Sequence, residues 1–136
     1  MFKIIQLIPL FGVVLIIYWL AVKIRFFPDH LNDVVFRMGL PSGITWKPTW
    51  GDFMVLLGVI TLYIELFKST RTSEVTIFDH LFSTFVLIFY LTAWLIYEWG
   101  GNSVFLILTA MAFLDVIAGF TITISAARRD LSLGGK

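Results

Sequence analysis

The chain contains no cysteine, which removes disulfides, thiolate nucleophiles and cysteine-based metal sites from consideration. It has two histidines, His30 and His80, far apart in sequence. No His pair at i,i+4, no glycine-rich phosphate loop and no Ser-His-Asp set at plausible depth occurs. Haem or iron–sulfur ligation has too few ligands. Charge is scarce as well: 14% of the 136 residues are charged, against about 25% in soluble domains. The net charge is only +1 and no basic stripe exists, which argues against nucleic acid as a partner. There is no internal repeat and no low-complexity tract. No cofactor is implied.

What is present is apolar. Hydrophobic residues make up 59% of the chain and aromatic residues 17%, with a mean hydropathy of +0.93. They come in long blocks, which is the transmembrane signature. The expected fold is all-α, an integral membrane protein with four transmembrane helices in one domain over 1–136. The spans are expected near 4–22, 50–67, 77–99 and 102–127. The first is read as an uncleaved helix, since no small-x-small site follows it. Pro9 falls one turn into it, where a missing N–H matters least.

Between the first two spans, Leu31, Val34, Val35 and Met38 recur at i, i+3, i+4 and i+7. With Asp29 as an N-cap and Gly39 and Pro41 as a stop, 29–39 reads as a short interfacial amphipathic helix. A folded loop over the span ends is the alternative. Asp29, His30 and Asp33 lack the multi-histidine pattern of a metal site. Thr49 is expected to cap the second span and Asp52 to complement its dipole. Glu65 and Lys68 read as a snorkelling i,i+3 pair at the interface. Asp79 and His80 fall in the first turn of the third span, where an acid suits the helix N-terminus. Asn102 is placed as the cap of the fourth.

Trp19, Trp46, Trp50, Trp94 and Trp99 all fall at the span ends opposite the termini. Indoles prefer the headgroup boundary, so these are expected interfacial anchors. The other end carries Lys3, Lys68, Arg71, Arg128, Arg129 and Lys136. Against these six, the opposite side carries four, Lys23, Arg25, Arg37 and Lys47, and since basic residues favour the cytoplasm the balance points to both termini there.

One residue does not fit its surroundings. Asp115 lies roughly 20 Å along a helix from both Asn102 and Arg128, at the middle of the most apolar span. A carboxyl there costs on the order of 3 kcal/mol unless compensated. Leu108, Met111, Ala112, Ala118, Gly119 and Ile122 share its face, and the small members Ala112, Ala118 and Gly119 admit a close neighbour. Asp115 is therefore expected to face protein, as a polar helix-packing contact. No basic residue is expected at its depth. Candidate partners or titrating groups are Thr61, Tyr63, Tyr90, His80 and Glu65, with Thr84 and Thr92 further along the third span. Asp115 is then either a protonated hydrogen-bonding strut, a proton or cation exchanger, or the counter-ion of another subunit. Gly12, Gly58 and Gly119 are single and read as packing positions rather than helix breaks.

Trp50-Gly51-Asp52, Ile77-Phe78-Asp79-His80, Leu114-Asp115-Val116-Ile117-Ala118-Gly119-Phe120-Thr121 and Ala126-Ala127-Arg128-Arg129-Asp130 together have a familiar form. Over about the last 85 residues the chain resembles uncharacterised small four-span inner-membrane proteins of alphaproteobacteria. The resemblance implies a bacterial inner membrane and carries no known activity.

Two functional expectations follow. The first is a non-enzymatic accessory or scaffold subunit of a larger bacterial membrane protein complex, in contact with membrane lipids and other membrane protein subunits. The second is an oligomeric proton or cation pathway using Asp115, with Thr121, Thr123 and Ser125 leading away from it. An intramembrane enzyme or lipid-binding protein working through the Asp29–Asp33 surface and Asp79/His80 ranks below both.

Overall fold

The computed structural model describes residues 2–71 and 74–134. The helices are α1 (Phe2–Leu7), α2 (Leu10–Lys23), α3 (Trp50–Ser69), α4 (Glu74–Ile96) and α5 (Ser103–Gly134). Three segments are long and apolar enough to cross a membrane: Trp50–Ser69, Thr76–Ile96 and Ser103–Arg129. At 1.5 Å per residue, the 20 residues of α3 reach about 30 Å, the thickness of a bilayer core. The fourth apolar helix, α2, has only 14 residues and reaches about 21 Å.

The expected first span is thus not one continuous helix. Pro9 cannot donate to the preceding turn and disfavours helical geometry at Ile8, so α1 ends and α2 starts again with Pro9 as its extended N-cap. The position of Pro9 matters more than the sequence suggested, because its neighbours' polar groups have to be satisfied elsewhere.

The expected surface helix over 29–39 is not formed either. Turns carry the chain from Phe27 to Asp33, and Val34 then bridges Thr49. A small antiparallel hairpin follows, β1 (Met38–Gly39) against β2 (Thr45–Trp46). Gly43, at φ +88°, closes its turn, a left-handed conformation that glycine adopts freely. Four apolar residues in a short stripe cannot hold an isolated helix in water. Of that stripe only Leu31 is buried, whereas Val34 and Met38 are exposed. The loop is tied down by backbone bonds from Trp50 N–H to Asp33 and from Gly51 N–H to Leu31.

The helix caps follow expectation more closely. Thr49 and Asp52 form a reciprocal capping box at the start of α3. Asn102 Oδ1 accepts from Phe105 N–H at 2.9 Å and so caps α5. The expected third span ends early, at Ile96, and a 3₁₀ turn over Glu98–Gly100 carries Trp99 back onto the bundle.

The core begins at the aromatic end. Tyr18 lies against Phe27, Trp99 and Phe105, and Phe105 continues to Tyr90, which meets Phe11. Tyr18 donates to the Trp99 carbonyl at 2.8 Å and accepts from Asn102 Nδ2 at 2.9 Å. Tyr90 donates to the Phe11 carbonyl at 2.8 Å, so each buried phenol is satisfied.

Beyond the aromatics, α3 and α5 run parallel and close. A Cβ at Gly58 would stand 2.7 Å from Met111 Sδ and 2.8 Å from Leu108 Cδ2. Gly58→Leu is expected to cost about 2 kcal/mol by overpacking. Thermal unfolding in mild detergent checks this against Gly39→Ala, where nothing lies within 4 Å of the new methyl. Equal melting of the two variants would contradict the packing described.

Candidate functional site: a buried polar cluster at the helix break

The break at Pro9 leaves two backbone groups without helical partners, and α3 supplies both. Leu10 N–H donates to Glu65 Oε1 at 3.0 Å, and Lys68 Nζ donates to the Ile8 carbonyl at 3.0 Å. Glu65 and Lys68 are one turn apart on α3, so a single helix face meets both ends of the interrupted helix. Lys68 also pairs with Glu65 at 3.0 Å and with Asp79 of α4 at 3.3 Å.

The expected i,i+3 pair is formed, with the side chain of Glu65 1% exposed and that of Lys68 15%. Beyond pairing with each other, the two residues tie α3 to the helix break and to α4. The expected dipole role of Asp79 is replaced. Helix α4 begins at Glu74, so Asp79 is past the first turn, buried and bonded to Lys68.

His80 lies level with Ser69, the last residue of α3. It is buried between α4 and α5, with Nε2 2.6 Å from Thr123 Oγ1 and its ring against Phe120. The absence of a side chain at Gly119 makes room for it, since a Cβ there would stand 2.9 Å from His80 Cε1 and 3.1 Å from Ser69 Oγ. Thr123 also reaches the Ser69 carbonyl at 3.5 Å, closing α3, α4 and α5 around this level.

Asp115 lies on the face of α5 that points into this assembly and is 3% exposed. On the same face Ala112 and Gly119 are buried, while Ala118 is half-buried. The neighbours of Asp115 differ from those foreseen. The nearest histidine, His80, sits against Gly119, one turn along α5 from Asp115. Antiparallel α4 and α5 place His80 against Gly119 and Thr123, and Tyr90 against Phe105. That register brings Ser83 level with Asp115. Ser83 Oγ is buried with no hydrogen-bond partner among the described residues. Parallel α3 and α5, with Gly58 against Met111 and Ser69 against Gly119, bring Thr61 to the same level. The Thr61 hydroxyl is already donated to the Leu57 carbonyl at 2.8 Å. Among the described residues, none donates a hydrogen bond to the Asp115 carboxyl.

The other candidate partners lie elsewhere. Tyr63 is 71% exposed on the outer surface of α3, and Tyr90 is committed to Phe11. Thr84 and Thr92 donate to carbonyls of their own helix. Thr121 does the same and is exposed, as is Ser125; only Thr123 of that trio turns inward. Among the tryptophans, Trp19, Trp46 and Trp50 are exposed, while Trp94 and Trp99 are half-buried. Of the basic rim, Lys136 and the side chain of Lys3 lie outside the described residues. On the surface, His30 Nδ1 pairs with Asp33 Oδ2 at 2.5 Å and stacks on Phe26, an exposed local contact.

The sequence carried one signal for this cluster that was passed over. Pro9, inside an apolar run, and the Glu65/Lys68 pair are complementary features of two different helices. No family model matches the chain, and no curated protein or solved structure is significantly similar to it.

Removing only the cation should be costly, because a buried ion cluster that loses one partner is destabilised by about 3–5 kcal/mol. Lys68→Met is expected to show such a loss in detergent unfolding. Adding Glu65→Gln and Asp79→Asn to Lys68→Met is expected to recover much of it. A Lys68→Met protein that melts like wild type would show that the ammonium does not hold the helix break.

Proposed function

We propose that this is an integral membrane protein that exchanges protons or small cations at the buried cluster, with Asp115 as its innermost carboxyl. The observation that carries the reading is the interrupted helix whose two ends are held by charged side chains. Discontinuous helices with carbonyls and carboxyls converging inside the membrane are how many transporters build cation sites. A purely structural tether would need one carboxylate for one ammonium. Here Glu65 and Asp79 share Lys68, and Asp115 is a third buried carboxyl with no cation bonded to it among the described residues. Buried like charges repel strongly, so the excess must be neutralised by protons or cations. The partnerless Ser83 hydroxyl, level with Asp115, offers an oxygen for the same species.

In this reading α1 and α2 cross the bilayer together as a broken fourth span, in a bacterial inner membrane with the termini in the cytoplasm. Lys68 and Asp79 border a small gap at the α1 end with Gln6, Arg71 and Thr76. Exchange begins there, passes Glu65 one turn deeper and reaches Asp115.

An accessory subunit of a larger membrane complex is the second reading, favoured by the short α2 and the wide apolar groove beside it. Such a subunit would dock through its outer faces, because Asp115 points into its own bundle.

Proteoliposomes containing a pH-sensitive dye separate the two. Wild type is expected to pass protons at least about ten times faster than Asp115→Asn, a change of about 1.4 kcal/mol or more in barrier. Equal rates from equally folded proteins would reject the exchange reading. A mild-detergent pull-down that brings the same stoichiometric partners with wild type and Asp115→Asn would then support the second.

A further inference from the structure

At the opposite end of the molecule from the polar cluster, α2 and α4 splay apart around a cleft of about 730 Å³. That volume is within the range of small-molecule sites. Its walls are apolar, formed by residues such as Ile16, Val86 and Phe89, and Gly12 leaves its inner end open. Its mouth is formed by Trp19, Lys23 and Tyr97. The mouth therefore lies at the aromatic rim, where indoles mark the headgroup level of a bilayer.

The charge at this mouth is one-sided. Among the described residues, Lys23 contributes the only formally charged side chain in the lining, and no carboxylate lines the cleft. Its ammonium sits 5.0 Å above the centroid of the Trp19 ring, held by cation–π attraction beside the opening. Tyr97 stacks on Trp99 at 5.3 Å on the other side, which gives the mouth a rigid aromatic wall.

We infer that this cleft binds one anionic phospholipid, with an acyl chain along the groove between α2 and α4 and the phosphate on Lys23. An ammonium at headgroup depth with no carboxylate against it among the described residues favours a lipid of net negative charge over a zwitterionic one, whose own ammonium already offsets its phosphate. The apolar groove takes the chain without discriminating between lipids. Selectivity then rests on Lys23 and affinity on the groove. Neither depends on the polar cluster at the other end, so the inference is independent of proton or cation exchange.

Native mass spectrometry of the full chain, released from detergent containing equal phosphatidylglycerol and phosphatidylcholine, tests this directly. Wild type is expected to retain phosphatidylglycerol over phosphatidylcholine by roughly five-fold, the selectivity one lysine near a membrane surface confers. Lys23→Gln should bring the two lipids to equal retention. Ile16→Trp, which fills the groove from an exposed position, should lower retention of both. Lys47→Gln, beside the hairpin at the same end and outside the cleft, should leave the preference intact. The inference is overturned if wild type shows no preference, if Lys47→Gln abolishes it as Lys23→Gln does, or if Ile16→Trp retains both lipids fully. A second copy of the chain bound in place of lipid would overturn it too.

Discussion

A backbone interruption leaves polar groups without helical partners, and the rest of this structure depends on how they are satisfied. At Pro9 the chain gives up helical continuity, and Leu10 N–H and the Ile8 carbonyl become the two groups in question. Each unsatisfied group in hydrocarbon would cost several kcal/mol. Glu65 and Lys68 meet both. A carboxylate and an ammonium suit the task because hydrogen bonds to ionised groups are stronger than neutral ones. Burying those charges creates a further demand, which Asp79 meets by pairing with Lys68 from a third helix. One proline thus commits three helices to a common centre.

That centre could not form between bulky helices. The polar groups must lie close enough to bond and be shielded from lipid, so the helices have to approach where side chains are small. Gly58 sets the distance between α3 and α5, and Gly119 leaves the space that the His80 ring occupies. At the aromatic end, Tyr18, Phe105 and Tyr90 fill the interior, and the two tyrosine hydroxyls close two backbone carbonyls. The interior is therefore polar at one end and aromatic at the other.

Much of this was readable in the residue order, and the failures have a common cause. Long apolar blocks, the Thr49–Asp52 and Asn102 caps, and the inward orientation of Asp115 are local or periodic properties, which sequence displays directly. Glu65, Lys68, Asp79 and His80 were each assigned a local role, such as an i,i+3 pair, a dipole partner or a headgroup contact. Each local role was physically reasonable. Tertiary partners on other helices override them, and helix register is not visible in one chain's periodicity. The hairpin in place of a surface helix has the same origin. The stripe from Leu31 to Met38 has helical spacing, but the turn at Gly43 and backbone bonds to α3 outweigh so weak a pattern.

The two ends also differ in what they would let through. At the aromatic end, Tyr18, Trp99 and Asn102 form closed hydrogen bonds over a tightly packed Phe105. No ionisable side chain with a free bond continues inward from there among the described residues. At the α1 end, Lys68, Asp79 and His80 lie near the level of Ser69 and Gly119, with Glu65 and Asp115 one turn further in. Ionisable side chains thus gather on one side of the bundle and aromatic ones on the other. The Tyr18–Trp99–Asn102 seam joins α2 to the 3₁₀ turn and to the start of α5. Helix α2 has only 14 residues, and Pro9 interrupts its continuity with α1. The same proline that gathers the polar groups at one end thus sets where the helix that carries Tyr18 to the other end begins.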